Sequence, residues 1–106
     1  SLMATAAERL ALELGRSAFR RPTVPVVTNV EAAVNQDPAR IAELLTRQVS
    51  APVRWEESVQ VLARMGVARA VEVGAGKVLA GLCRRIAPDL AVAGASDPDS
   101  IRSLET

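Results

Sequence analysis

The stretch Val71-Glu72-Val73-Gly74-Ala75-Gly76-Lys77-Val78-Leu79 decides the fold class. Ala70 to Val73 is a short run with β-branched residues and reads as a strand, while Lys77 to Ile86, rich in Val, Leu and Ala, reads as a helix. Between them, Gly74-Ala75-Gly76 is a tight turn that needs positive φ at one glycine, and it leaves Lys77 in solvent. Backbone N–H groups at such a strand-to-helix junction can hold an anion. Two nucleotide motifs fail here. Val78 stands where a phosphate loop needs a hydroxyl, and Leu79 stands where a dinucleotide fingerprint needs its third glycine.

Working outward, Leu90 to Ala93 is a further strand, and Asp97-Pro98 opens a short helix that ends near Leu104. Upstream, apolar residues at helical spacing run from Leu2 to about Phe19, before Pro22. Val24-Pro25-Val26-Val27-Thr28-Asn29-Val30 reads as a buried strand with Pro25 at its start or on an edge. Asp37 caps a helix that begins at Pro38 and continues through Ile41, Leu44, Leu45 and Gln48. Pro52 interrupts the pattern. A helix from about Arg54 to Met65 follows, with Trp55, Val59, Leu62 and Ala63 on one face and Gly66 as its stop. Helices alternating with short strands argue for an α/β fold with a largely parallel sheet. Three strands are few for a sheet covered on both faces, so the reading is part of a domain whose other strands precede Ser1.

Composition narrows the function classes. A net charge of +1 on 106 residues gives no general attraction to nucleic acid or to an anionic membrane, and neither is expected as a partner. No apolar run approaches the roughly 18 residues of a membrane span. The single cysteine, Cys83, cannot form an internal disulfide, which points to a reducing, cytoplasmic setting, and it reads as a buried apolar residue. There is no histidine, so a zinc site is not expected, and no serine sits in a nucleophile-elbow context.

Few polar residues stand out. Gln48 lies near a helix end just before Pro52 and, taken alone, reads as a solvated helix residue. Asn29 sits near a strand's carboxyl end, where α/β proteins often place ligand-facing groups, though a turn-forming role suits it equally. Trp55, the only tryptophan, reads as a packing anchor whose indole N–H finds a partner. Glu56-Glu57 point apart on a helix, and Asp97 and Asp99 bracket a helix start, so no carboxylate pair suits acid–base work.

Three blocks in register carry a family resemblance. Pro22-Thr23-Val24-Pro25-Val26-Val27-Thr28-Asn29-Val30, Arg47-Gln48-Val49-Ser50-Ala51-Pro52-Val53-Arg54-Trp55 and Glu72-Val73-Gly74-Ala75-Gly76-Lys77-Val78-Leu79 resemble segments of malonyl-CoA:acyl carrier protein transacylases. Ala75 replaces that family's usual proline. The resemblance implies the carboxyl-terminal part of a hydrolase-like three-layer domain with a mostly parallel sheet. Residues 1–106 would be the carboxyl-terminal portion of the large acyltransferase subdomain, a single incomplete domain.

It also implies a ping-pong mechanism. A serine takes malonyl from coenzyme A and passes it to the phosphopantetheine thiol of acyl carrier protein, with a histidine as general base. Both residues are missing from this chain, and the alignment puts the histidine two residues before Ser1. The backbone carbonyl of Gln48 would orient that histidine, where many hydrolases use an aspartate. Asn29, Lys77 and Val78 are the substrate-binding candidates, the last two at the coenzyme A entrance. Malonyl-CoA is the implied substrate, with no covalently bound cofactor. The implied partners are acyl carrier protein and the amino-terminal remainder of the same enzyme. The pathway is fatty acid biosynthesis, and the 106 residues alone are expected to be inactive. The alternatives are an acyltransferase segment of a polyketide synthase and a non-catalytic remnant or interaction module.

Overall fold

The computed structural model describes residues 2–104 and divides into two compact units after Ser58. In the first unit, α1 (Leu2–Gly15) is followed by two short strands, β1 (Val26–Val27) and β2 (Val34–Asn35). A 3₁₀ turn (Pro38–Arg40) then leads into α2 (Ile41–Gln48). Leu10 and Leu14 of α1 and Leu45 and Val49 around α2 line one apolar groove, so these helices share an apolar face. The helix expected to reach Phe19 stops four residues earlier, at Gly15. Glycine adds no side-chain contact and carries a backbone entropy cost there. Ser17 then takes the carbonyl of Glu13 with its hydroxyl at 3.2 Å, which competes with continuation.

The strand expected over Val24–Val30 is only Val26–Val27, and it pairs antiparallel with β2, in the register Val26↔Asn35 and Val27↔Val34. Pro25 has no N–H for a ladder, and beyond Val27 the chain turns. Ala32 donates to the carbonyl of Thr28 at 2.8 Å and Thr28 donates to that of Ala33 at 3.1 Å. The turn requires a φ of 52° at Ala32, a left-handed conformation uncommon for a residue with a Cβ. Asp37 caps the 3₁₀ turn by accepting the Ala39 N–H at 2.9 Å, as its position before Pro38 suggested.

The helix α3 (Trp55–Arg64) ends on Gly66, whose φ is 86°. Val67 donates to the Leu62 carbonyl and Gly66 to that of Ala63, the paired bonds of a glycine-terminated helix. In the second unit, β3 (Arg69–Val73) and β4 (Ala91–Ala95) pair in parallel from Arg69↔Ala91 to Val73↔Ala95. Between them runs α4 (Val78–Ile86). The closing helix α5 (Pro98–Ser103) starts with a reciprocal cap: Asp97 accepts the Ser100 N–H at 2.7 Å and the Ser100 hydroxyl accepts the Asp97 N–H at 3.1 Å.

Each unit buries small and medium side chains. Val30, Ala32, Leu44, Val59, Leu90 and Cys83 are buried, the last as its lone apolar position suggested. Ala63, expected on the apolar face of α3, is exposed, and Ser58 is buried in that helix instead. Ser58 tolerates burial because its hydroxyl donates to the Arg54 carbonyl at 2.7 Å. Large apolar side chains remain open to solvent, among them Val73 at 84% and Leu12 at 65% exposure. Among the described residues, no helix is long and apolar enough to cross a membrane.

Candidate functional site

The end of α2 places Gln48. Its backbone bonds continue past the last helical residue: Val49 donates to the Thr46 carbonyl, and Ser50 and Ala51 both donate to the Arg47 carbonyl, Ala51 at 3.1 Å. Among the described residues, no backbone N–H is directed at the carbonyl of Gln48. The Gln48 side chain is exposed, as its sequence context suggested. What this residue offers is an unshared main-chain acceptor at the negative end of a helix.

Gln48 and Asn29 line one cleft of about 310 Å³, together with Pro22, Val27, Thr28 and Leu44. Two of the sequence candidates are thus brought together within the first unit. The carbonyl of Asn29 is already engaged, accepting the Arg54 N–H at 3.0 Å, so its side chain is the group left to serve a ligand. Thr28 adds a feature that the sequence does not reveal. Its hydroxyl oxygen is buried and has no hydrogen-bond partner among the described residues. Trp55 departs from expectation in the same way, because its indole N–H is buried without a partner among the described residues.

A charged network braces this region. The Glu31 carboxylate accepts from Arg40 at 2.9 Å and from Arg47 at 3.3 Å, and Glu43 pairs with Arg47 at 3.4 Å. The Arg40 bond, aided by Arg47, holds the Glu31 carboxyl below the usual carboxylate range, against a smaller opposing effect of desolvation. Arg54 donates to the Glu31 carbonyl at 3.1 Å and pairs with Glu57 through its guanidinium. The spacing Arg40–Glu43–Arg47 signals part of this network in the sequence. Glu31, which ties it to the turn after β1, carries no such signal.

In the second unit, Gly74 and Gly76 both adopt positive φ, at 122° and 87°, where the sequence required only one. Gly74 extends the parallel ladder by donating to the Ala95 carbonyl at 3.1 Å. Lys77 is exposed and its side chain makes no cap, and Val78 is 73% exposed. The N–H groups that opened the anion-binding reading are partly occupied from within. The Glu72 carboxylate accepts the Leu79 N–H at 3.2 Å and the Ala80 N–H at 3.1 Å. Burial pushes the Cys83 thiol up from its ordinary pKa, and the Glu72 charge adds to that.

The parallel β3–α4–β4 arrangement, with its glycine turn at a strand's carboxyl end, is that of an α/β hydrolase-like domain. No family model matches the chain. It is 42% identical over 106 residues to the malonyl CoA-acyl carrier protein transacylase of Salmonella typhimurium, covering 100% of this chain and 34% of that protein. The crystal structure of the Synechocystis malonyl-CoA:acyl carrier protein transacylase superposes with a TM-score of 0.90 at 38% identity, over 95% of this chain and 34% of that one. A malonyl-transacylase solved in complex with its type II polyketide acyl-carrier protein superposes with a TM-score of 0.88 at 40% identity, over 99% of this chain and 34% of that one. The chain belongs to the malonyl-CoA:acyl carrier protein transacylase family and spans about a third of the length of the relatives it matches.

Proposed function

We propose that this chain is the carboxyl-terminal portion of the large acyltransferase subdomain of a cytoplasmic malonyl-CoA:acyl carrier protein transacylase of fatty acid biosynthesis. The observation that carries the reading is the 42% identity to such an enzyme along the whole chain. In the proposed reaction a serine outside this segment attacks the malonyl thioester. The C–S bond breaks, an ester forms, and coenzyme A leaves with the proton relayed through a histidine. The phosphopantetheine thiol of the carrier protein then reverses these steps. The unshared carbonyl of Gln48 accepts from that histidine and fixes its tautomer, while its side chain stays in solvent. Asn29 faces the substrate from the same cleft, and Lys77 and Val78 border the coenzyme A entrance. Exposed apolar groups such as Val73 support a segment made to pack against the rest of its domain.

The test is malonyl transfer from malonyl-CoA to phosphopantetheinylated acyl carrier protein, followed by the carrier's intact mass. The full-length polypeptide bearing this segment is expected to transfer, and residues 1–106 alone are not. Serine acylation in the isolated segment would defeat the assignment. A second reading, service to a polyketide carrier, is favoured by the relative solved with its type II polyketide acyl-carrier protein. Parallel assays with fatty-acid and polyketide carriers separate the two.

A further inference from the structure

We infer that Pro52 is a positioning residue that keeps the Gln48 carbonyl available for the catalytic histidine; the inference rests on the proposed role of that carbonyl. The bonding series at the end of α2 carries the argument. Ala51 donates to the Arg47 carbonyl at 3.1 Å, a full four-residue helical bond, so the backbone still spirals at position 51. The next bond in that series would run from the N–H of residue 52 to the carbonyl of Gln48. Residue 52 is proline and has no N–H to give. The regular ladder of α2 ends at Gln48, and Val49 and Ser50 bond three residues back, so Ala51 to Arg47 is the one four-residue bond beyond the helix; its successor, to the Gln48 carbonyl, has no donor.

Two consequences favour the histidine. An acceptor that serves no i+4 donor keeps its partial charge undivided and is free to tilt off the helix axis. It also stands at the negative end of α2, so a neutral carbonyl supplies part of the field that a carboxylate would give an imidazolium. The neighbouring cation does not oppose this. The Arg47 guanidinium is drawn back along the helix to Glu43 at 3.4 Å and across to Glu31 at 3.3 Å.

The experiment uses the full-length polypeptide with three residues at position 52: proline, alanine (Pro52→Ala), and lactate introduced as an ester in place of the amide. Alanine restores the N–H, whereas lactate removes the ring but still has no N–H. The inference expects Pro52→Ala to lower kcat/KM about three- to tenfold, the worth of one shared hydrogen bond. Its acid limb in the pH profile of kcat/KM should move to lower pH, because an imidazolium that shares its acceptor is less stabilised. The lactate variant should keep the wild-type limb. If alanine and lactate lose activity equally with the limb unmoved, ring stiffness matters and the inference is overturned. Full activity in both overturns it as well. If Pro52→Ala does not fold, the lactate variant decides, since a displaced limb there would refute the role of the missing N–H. Absence of malonyl transfer in the wild-type polypeptide is a different failure, which removes the functional reading and this inference with it.

Discussion

The carboxylate of Glu72, on β3, accepts the backbone N–H of Ala80 at 3.1 Å and so closes the amino terminus of α4 from within the chain. Its second oxygen takes the Leu79 N–H at 3.2 Å. Two of the orphan donors of that helix are therefore satisfied by a charge seven and eight residues upstream. A phosphate approaching this loop would meet a helix terminus with two of its donors already taken. A coenzyme A entrance here would draw on the exposed Lys77 side chain as well as on the donors that Glu72 leaves free.

Removing that cap should loosen the β3–α4 junction. Glu72→Ala is expected to cost about 1–2 kcal/mol of stability, and Glu72→Gln about half as much, because an amide oxygen still accepts one bond without the charge. Urea unfolding followed by circular dichroism measures both. Equal midpoints for wild type and Glu72→Ala would show that the cap contributes nothing.

Glu31 should make stability fall in acid. Its folded pKa lies below the unfolded value, first because of the Arg40 hydrogen bond and then that of Arg47. A depressed carboxyl contributes stability that is fully present above the unfolded value, near 4.3 for glutamate, and is lost as pH falls through the folded value. Thermal midpoints taken from pH 7 down to pH 3 should drop less steeply in Glu31→Gln than in wild type, with the two curves converging at the acid end. Parallel curves would remove Glu31 from the acid response. Glu57 and Asp97 are depressed in the same direction and supply the residual slope.

What the sequence discloses follows the range of each interaction. Asp97-Pro98 and Gly66 announce their caps because the bonds that satisfy them lie within a few residues. The strand–glycine–helix run of β3 and α4 is legible for the same reason. The strand β2 is not, because two residues carry no periodicity and the turn before it depends on a positive φ at an alanine. The Glu72 cap escapes because it joins a strand residue to the next helix. Asn29 and Gln48 line one cleft whose walls come from distant segments; Asn29 stands out only by its place near a strand's carboxyl end, and Gln48 only through the family resemblance. The contribution of Pro52 is invisible until the Ala51–Arg47 bond shows that the chain still turns beyond the end of α2.

Cys83 should behave as a reporter of opening rather than as a reactive thiol. It is buried, and burial and then the Glu72 carboxylate raise its pKa, both of which disfavour the thiolate. Labelling with iodoacetamide at pH 8 should be slow in the native chain and should accelerate with urea along the unfolding curve. Rapid labelling without denaturant, at the rate of a free cysteine, would contradict the buried placement.

Thr28 offers the sharpest stability test. Its hydroxyl is buried in the wall of the cleft with no partner among the described residues, and an unmade hydrogen bond of this kind costs about 1–3 kcal/mol. Valine has nearly the same shape and removes the polar atom, so Thr28→Val should stabilise residues 1–106 by roughly 1 kcal/mol. In the full-length polypeptide, where the proposed reading brings further residues to this cleft, the hydroxyl should find its partner and the substitution should destabilise. Chemical unfolding of both proteins with and without the substitution decides the matter. Opposite signs would place the Thr28 hydroxyl at the junction with the rest of the enzyme. A stabilising effect in both would mean that the hydroxyl stays unpartnered throughout, and a loss in the short chain alone would show that it is already bonded there.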